Sequence, residues 1–288
     1  MDPLFWFVIL GTVLGLTVRL SFLQADFRRY PTTPNGLLIQ VTVGAIAATM
    51  GAVTIPALIA KNYVAVTFLA LAIQQLRQVR TAEQNSLKNL EGTEFAPRGS
   101  AYVDEIAKGF EARNYLALIV GLATTGSATL LRSALGDPVL AGTVGVALGA
   151  LAGTALRRYS QVKSVGDVAE IIEAPISFKG YDLFVGDVYV MNIGLQATRD
   201  HINEQGLAVI IKPRNIDGQV SLASAGQRRA IMSDVSRVLG TERYIRTRRD
   251  FDTDEVALLI VPIRKDKGLV LETVKETPLL EVVRRAHS

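Results

Sequence analysis

The chain has 288 residues, a formal net charge of +4 and 49% hydrophobic residues, and it contains no cysteine. Without cysteine it can form no disulfide, no thiolate metal site and no cysteine nucleophile. Its two histidines, His201 and His287, do not lie near any cluster of ligand-type residues. We therefore expect neither a metal site nor a bound cofactor.

Five apolar stretches occupy the first half of the chain. They run from Leu4 to Leu23, Leu37 to Ala60, Tyr63 to Leu76, Tyr115 to Leu131 and Val139 to Leu156. A helix needs about 20 apolar residues to cross a bilayer, with roughly 17 as the usual lower limit, so the sequence predicts about five transmembrane helices. The third stretch is short, and it must include Gln74 and Gln75 or lie in a thinned bilayer.

The basic residues between the stretches predict their orientation. Arginine pairs at 28–29 and 157–158 follow the first and fifth stretches, and six basic residues follow the third. The connections after the second and fourth stretches contain only Lys61 and Arg132. Because Lys and Arg resist translocation, we expect a multi-pass protein of the inner membrane, with the amino terminus outside and the carboxyl terminus in the cytoplasm.

Two alternatives to membrane spans are a cleaved signal peptide and a soluble helical bundle. The first three residues carry no positive charge, and no small-x-small cleavage site follows Leu23. Residues 43–60 and 142–156 have no polar face to present to water. Both observations favour membrane helices, with the lipid bilayer as the first partner.

The apolar stretches contain many small residues and few ionisable ones. Ala141, Gly145, Gly149 and Gly153 recur at four-residue intervals, which lets helix backbones approach closely. Packing within the bundle is the favoured interpretation, and homo-oligomerisation or a partner helix is the alternative. Arg19 lies near a helix end, where it can snorkel. The scarcity of buried charge argues against an ion-coupled transporter or a proton relay.

Residues 77–114 are predicted to form a cytoplasmic loop that contains an amphipathic helix. Ser100 is the expected N-cap. From residue 101 to residue 115, apolar side chains share one helix face and charged side chains another, with Asp104 and Lys108 in the favourable i,i+4 order. No break signal follows, so we expect an interfacial helix that continues into the fourth apolar stretch.

This helix resembles the signature of a known family. Residues Tyr102, Val103, Asp104, Glu105, Ile106 and Ala107, followed by residues 110–115, are similar to the name-giving motif of the YIEGIA family of membrane proteins. Val103 and Asp104 are conservative departures from that motif, whereas Glu105 replaces a glycine. Residues 26–31 and 34–36, and the layout of the whole chain, are also similar. The resemblance implies an integral membrane protein of endospore-forming bacteria that is associated with sporulation.

We predict that residues 1–160 form the transmembrane domain and that residues 161–288 form a cytoplasmic α+β domain. The expected helices cover 167–173, 195–204, 224–239 and 279–286. The expected strands cover 184–193, 207–212, 244–251 and 256–264, and the last two form a hairpin. Mixed elements in this order are typical of a small sheet layered with helices.

The hairpin carries a group of basic residues with aromatic residues between them. The basic residues are Arg243, Arg246, Arg248 and Arg249. Acidic residues follow at 250–255 and offer local neutralisation, so a solvated and charge-paired hairpin is the favoured interpretation. The alternatives are a surface that senses anionic lipid headgroups and, least favoured, one that binds nucleic acid.

One enzymatic class remains compatible with the residues present. Neither a Walker-type glycine loop nor Gly-x-Ser-x-Gly occurs. A membrane aspartic protease needs only two carboxylates that share a proton. Asp104 and Asp26 are the candidates, and another cytoplasmic carboxylate could also take part, although no spacing in the sequence shows such a pair.

The sequence therefore favours a non-enzymatic membrane scaffold or regulator that presents its cytoplasmic domain to a protein partner, and the family resemblance implies an association with sporulation. The aspartic-type protease and the sensor of anionic lipid are the alternatives.

Overall fold

The computed structural model describes residues 3–22, 34–160 and 163–281. It divides into two compact units. Met1–Asn85 and Ile106–Gln161 form the helical unit, whereas Ser86–Glu105 and Val162–Ser288 form the α/β unit. We predicted a division near residue 160; in the structure, part of the predicted loop groups with the carboxyl-terminal residues.

Five helices cover all or most of each of the five predicted apolar stretches. They are α1 (Pro3–Leu20), α2 (Pro34–Ile59), α3 (Tyr63–Glu91), α4 (Ser100–Leu135) and α5 (Pro138–Tyr159). Among the described residues, α1, α2, α4 and α5 are long and apolar enough to cross a membrane. The third helix does not meet that standard because its second half is polar. The predicted apolar helices are thus present, and four of them qualify as spans.

The polar part of α3 was expected to be a loop. Residues 77–91 are instead helical, and the helix ends just before Gly92. This segment is rich in Gln, Leu, Glu, Lys and Arg, which are good helix formers, and it contains neither Gly nor Pro. As predicted, the amphipathic helix and the fourth apolar stretch form one unbroken helix, α4.

Small residues allow the helices of the helical unit to pack closely. A Cβ atom added to Gly145 of α5 would lie 2.7 Å from the Cβ of Ala128 and 2.8 Å from the carbonyl oxygen of Thr124, both on α4. Gly149 also meets Thr124, and a Cβ at Gly153 would lie 3.1 Å from Val18. The stripe on α5 therefore packs against α4 and α1 of the same chain.

The α/β unit contains seven strands and five helices within its described residues. In chain order they are α6 (Val165–Val168), β1 (Ala169–Glu173), β2 (Ile176–Lys179), β3 (Asp182–Val185), β4 (Val188–Asn192), α7 (Gln196–Gln205), β5 (Leu207–Pro213), α8 (Ile216–Ala223), α9 (Ala225–Leu239), β6 (Thr241–Arg249), β7 (Val256–Pro262) and α10 (Lys267–Glu276). The strands form two antiparallel sheets, one in the order β1-β5-β7-β6 and one in the order β2-β3-β4.

The two faces of the four-stranded sheet belong to different hydrophobic cores. Leu258 and Ile260 of β7 pack with residues from α6, α8, α9 and α10, whereas Leu259 and Val261 pack with the three-stranded sheet and with α7. Successive side chains of a strand point to opposite faces, so a central strand between two layers must be apolar throughout. All seven residues of β7 are buried, as this position requires.

Several predicted elements of this unit differ from those observed. Residues 169–173, expected in a helix, form β1, which pairs with β5. The single strand expected over 184–193 is a hairpin of β3 and β4 that turns at Gly186, where φ is +58°. Strand β2 and helices α8 and α10 were not predicted. Of the helix expected over 279–286, Leu279 and Leu280 are buried but not helical, and residues 282–288 lie outside the described residues.

Candidate functional site

The tyrosine of the family motif is an internal anchor of the α/β unit. Tyr102 is 1% exposed, and its hydroxyl group lies 2.8 Å from each carboxylate oxygen of Asp234, on α9. The neighbouring Val103 is fully buried. A phenol that donates to a carboxylate in a partly buried site forms a charge-assisted hydrogen bond, which is stronger than a neutral one. These contacts attach the first turn of α4 to α9.

The rest of the motif divides between the two units. Glu105 accepts a hydrogen bond from the backbone N–H of Glu281 at 3.1 Å, within the α/β unit. Ile106 and Ala107 are buried, and they cluster with the helical unit. Asp104 is half-buried.

Of the two carboxylates proposed for a protease, the structure describes only Asp104. Asp26 lies outside the described residues, so its pairing with Asp104 stays a prediction.

The motif's second part surrounds a buried arginine of α1. Arg19 is fully buried, and its Nε donates to the side-chain oxygen of Asn114 at 3.1 Å. Its guanidinium carbon lies 5.2 Å from the ring centroid of Phe110. Arg19 was expected to snorkel toward the membrane surface; instead it packs inside the helical unit, where an amide and an aromatic face replace water.

A second buried charge cluster lies in the segment that precedes α4. The side chain of Arg98 is fully buried, and its Nη2 lies 2.9 Å from Glu94. Burial and the nearby Arg98 lower the pKa of Arg237 on α9, although the acidic groups of Glu94 and Asp234 oppose that shift. The cluster and the Tyr102 contact together hold this segment against α9.

An open cleft of about 670 Å³ lies beside this attachment. It is lined by loop residues 95–97 and Gly99, by Arg229 and Met232 of α9, and by residues 243–246 of β6. Gly99 has φ of +82°, a conformation that glycine adopts at no steric cost. Its N–H donates to the carboxylate of Glu91, and its carbonyl accepts hydrogen bonds from the N–H groups of Tyr102 and Val103 in the first turn of α4. The loop wall of the cleft is therefore fixed by hydrogen bonds.

The arginines of the hairpin are not equivalent. Arg249 pairs with Asp254, and its guanidinium carbon lies 5.4 Å from the ring of Phe251. Arg243 and Arg246 line the cleft, whereas Arg248 is exposed outside it.

The carboxylate of Asp250 closes the turn after β6. It accepts hydrogen bonds from the backbone N–H of Asp252 and from the hydroxyl of Thr253. These bonds lower the pKa of Asp250.

Several residues of this region were not singled out from the sequence. Asp234 and Arg229 lie on a helix with many charged residues, where nothing local distinguishes them. Next to the loop 95–99, only Ser100 was singled out from the sequence, as the expected N-cap of the following helix. The sequence Pro-Arg-Gly at residues 97–99 indicates a turn before a helix. It does not indicate that this turn lies beside α9 and β6.

Fold and site together define a protein with four apolar helices that are long enough to span a membrane and a small α/β unit of two antiparallel sheets. The chain belongs to the YIEGIA family, since the family model described as "YIEGIA protein" matches residues 7–288. It is 34% identical over 283 residues to "Uncharacterized protein YphB" of Bacillus subtilis (strain 168). The alignment covers 95% of this chain and 92% of the relative. This confirms the predicted family, and the relative is consistent with an origin in endospore-forming bacteria. No solved structure matches the chain.

Proposed function

We propose that this YIEGIA protein is a non-enzymatic scaffold or regulator of the inner membrane, associated with sporulation, that presents its α/β unit to a protein partner in the cytoplasm. The observation that carries the proposal is the internal use of the family motif. Tyr102 bonds to Asp234, Glu105 accepts the N–H of Glu281, and the apolar positions are buried. A motif whose side chains stabilise the fold suits a protein that positions a domain.

The proposed topology has five spans, with the amino terminus outside and the carboxyl terminus in the cytoplasm. The first half of α3 supplies the fifth span in addition to the four apolar helices. Helix α4 supports a regulatory role, because its residues 100–105 cluster with the α/β unit and the rest with the helical unit. A partner that binds the α/β unit thus acts on a helix that continues into the membrane part.

The test uses Bacillus subtilis from which the relative has been removed. The strain receives this chain at graded levels, as wild type or with Asp104→Asn, and Asp104→Ala is tested in parallel. Spore yield, the membrane level of each variant and the total proteome are measured. A scaffold acts by stoichiometric binding, so we expect spore yield to rise in proportion to the membrane level, and both variants to match the wild type when their membrane levels are equal to its own.

Other outcomes contradict the proposal. Unchanged spore yield after removal of the relative would contradict the sporulation role. Loss of function in Asp104→Asn at normal membrane levels, together with accumulation of one specific protein, would favour the aspartic-type protease instead. Saturation of spore yield at very low levels of the chain would also favour a catalyst.

A further inference from the structure

We infer that the cleft beside loop 95–99 is a binding site for a small ligand with a phosphate group and an apolar or aromatic part. This inference goes beyond the proposed scaffold function, because it assigns the α/β unit a ligand of its own. It rests on the charge, the walls and the fixed shape of the cleft.

The charge of the cleft is positive and unneutralised. Arg229, Arg243 and Arg246 come from two different elements, all three are exposed, and none forms an ion pair with an acidic residue that the structure describes. Among the residues that the structure describes, no carboxylate lines the cleft. Arg249, in contrast, is neutralised by Asp254. Guanidinium groups bind phosphate oxygens through two parallel hydrogen bonds, so three of them around one cavity suit a phosphate.

The remaining walls are apolar and aromatic. Phe95 lines the cleft and is 60% exposed, and Met232 contributes further apolar surface. A free inorganic phosphate would leave this surface in contact with water. A phosphorylated molecule with an acyl, sugar or base portion would cover it, and aromatic side chains bury a large area with few rotatable bonds.

The shape of the cleft is set before any ligand arrives. Ala96 belongs to a hydrophobic core, the side chain of Arg98 is buried, and the N–H of Gly99 is hydrogen-bonded to Glu91. A ligand therefore does not have to order the loop, which lowers the entropic cost of binding. A Cβ at Gly99 would lie 3.5 Å from Cδ of Arg229, so the loop approaches that arginine closely.

Two sources can supply this chemistry, a phospholipid headgroup or a free phosphorylated small molecule. The test is chemical footprinting of arginine with phenylglyoxal on the intact chain in lipid nanodiscs, read by mass spectrometry. One arm uses phosphatidylcholine nanodiscs with added pyrophosphate or ADP, and the other uses phosphatidylglycerol nanodiscs. Arg248 is the internal control, because it is exposed on the same strand but does not line the cleft.

We expect a ligand at roughly ten times its Kd to slow modification of Arg229, Arg243 and Arg246 by about tenfold, because only the unliganded fraction reacts, while Arg248 reacts at its unliganded rate. Stronger protection by ADP than by pyrophosphate identifies a free ligand, and protection only in phosphatidylglycerol identifies a headgroup. Protection by pyrophosphate equal to that by ADP contradicts the apolar part of the proposed ligand. Absence of protection in every arm overturns the inference. Equal protection of Arg248, whether by these probes or by a single-stranded oligonucleotide, also overturns it, because it indicates a diffuse basic surface.

Matched variants give an independent reading. Arg243→Gln and Arg246→Gln should each weaken binding of the protecting probe by about tenfold in isothermal titration, and Arg248→Gln should leave it unchanged. All three variants remove one exposed charge from the same strand, so their folding can be compared by circular dichroism. If Arg248→Gln weakens binding as much as Arg246→Gln, the site is not the cleft.

Discussion

The hydroxyl group of Tyr102 connects the family motif to helix α9 of the α/β unit. We predict that Tyr102→Phe lowers the free energy of unfolding of this unit by about 2 kcal/mol, because it removes a hydrogen bond to a charged carboxylate. The carboxylate of Asp234 would then lose a donor at 2.8 Å in a partly buried site. Urea unfolding followed by circular dichroism, with the protein in dodecyl maltoside, measures the change.

Tyr181→Phe is the matched control for this change. Tyr181 lies in the same unit but is 60% exposed, so the loss of its hydroxyl group should leave the free energy of unfolding nearly unchanged. Equal stability of the two variants would show that the contact between Tyr102 and Asp234 contributes little, and it would weaken the case for a structural motif.

The turn between β6 and β7 provides a prediction about pH. The lowered pKa of Asp250 means that its carboxylate stabilises the folded turn at neutral pH. This contribution is complete above the unfolded pKa of about 4 and is lost as the pH falls through the lower folded value. We therefore expect Asp250→Ala to speed amide exchange of the turn at pH 7, and the ratio of variant to wild-type rates to approach one in stronger acid.

Hydrogen–deuterium exchange mass spectrometry of residues 250–255 measures the ratio of the variant rate to the wild-type rate. Both proteins are measured at the same pH, so that the intrinsic exchange rates of the amides cancel to a first approximation. Asp252→Ala is the control, because no hydrogen bond to its side chain occurs in the described turn. A ratio that stays constant from neutral to acid pH would contradict the role of the Asp250 carboxylate.

At the scale of elements, the packing of α5 on α4 depends on residues without side chains. We predict that Gly145→Ala destabilises the helical unit by about 1–3 kcal/mol, which is the usual cost of overpacking a close contact. The added methyl group would meet the Cβ of Ala128 and the carbonyl oxygen of Thr124, and a backbone oxygen cannot rotate away. Thermal unfolding in detergent measures the loss.

Gly92→Ala is the control for the glycine stripe, because a Cβ added there meets no atom within 4 Å. The oligomeric state is recorded for both variants by light scattering. If Gly145→Ala left stability unchanged but altered the population of dimers, the stripe would serve association between chains rather than packing within one.

The sequence predicts a helix or strand of the α/β unit well when the residues of that element themselves determine its conformation. Strands β5 and β7 follow from apolar runs within their own residues, and these two strands and helix α7 appear where expected. Residues 169–173 contain two Glu, two Ile and one Ala, a pattern that permits a helix; their strand conformation comes from pairing Ile171 with Ile211 of β5. Such pairing is a tertiary effect that overrides local preference.

The candidate site depends even more on tertiary contacts that the sequence does not reveal. The arginines on β6 were visible as a group, but their division into Arg243 and Arg246 in the cleft, Arg248 outside it and Arg249 in an ion pair depends on distant residues. The segment that forms the other wall is joined through Tyr102 to a residue 132 positions away. Periodicity within a strand carries no information about such a contact.

At the scale of the whole molecule, the number of spans decides on which side of the membrane the amino terminus lies. An odd number of spans places the two termini on opposite sides, and an even number places them on the same side. The second half of α3 is polar and cannot cross a membrane. The number of spans therefore depends on whether the apolar first half of α3 crosses it. Tyr63, at its start, lies outside the cell if α3 crosses the membrane and in the cytoplasm if it does not.

The absence of cysteine makes this question directly testable, because every introduced thiol is unique. We predict that Tyr63→Cys and Leu135→Cys react with an impermeant maleimide in intact cells, and that Ile216→Cys reacts only after lysis. All three side chains are exposed in their own units, so each thiol is accessible to reagent. If Tyr63→Cys were protected like Ile216→Cys, α3 would lie at the cytoplasmic face and the chain would have four spans. The amino terminus would then be cytoplasmic, and the arginine pair at 28–29 would have to lie outside, against the charge preference from which the orientation was inferred.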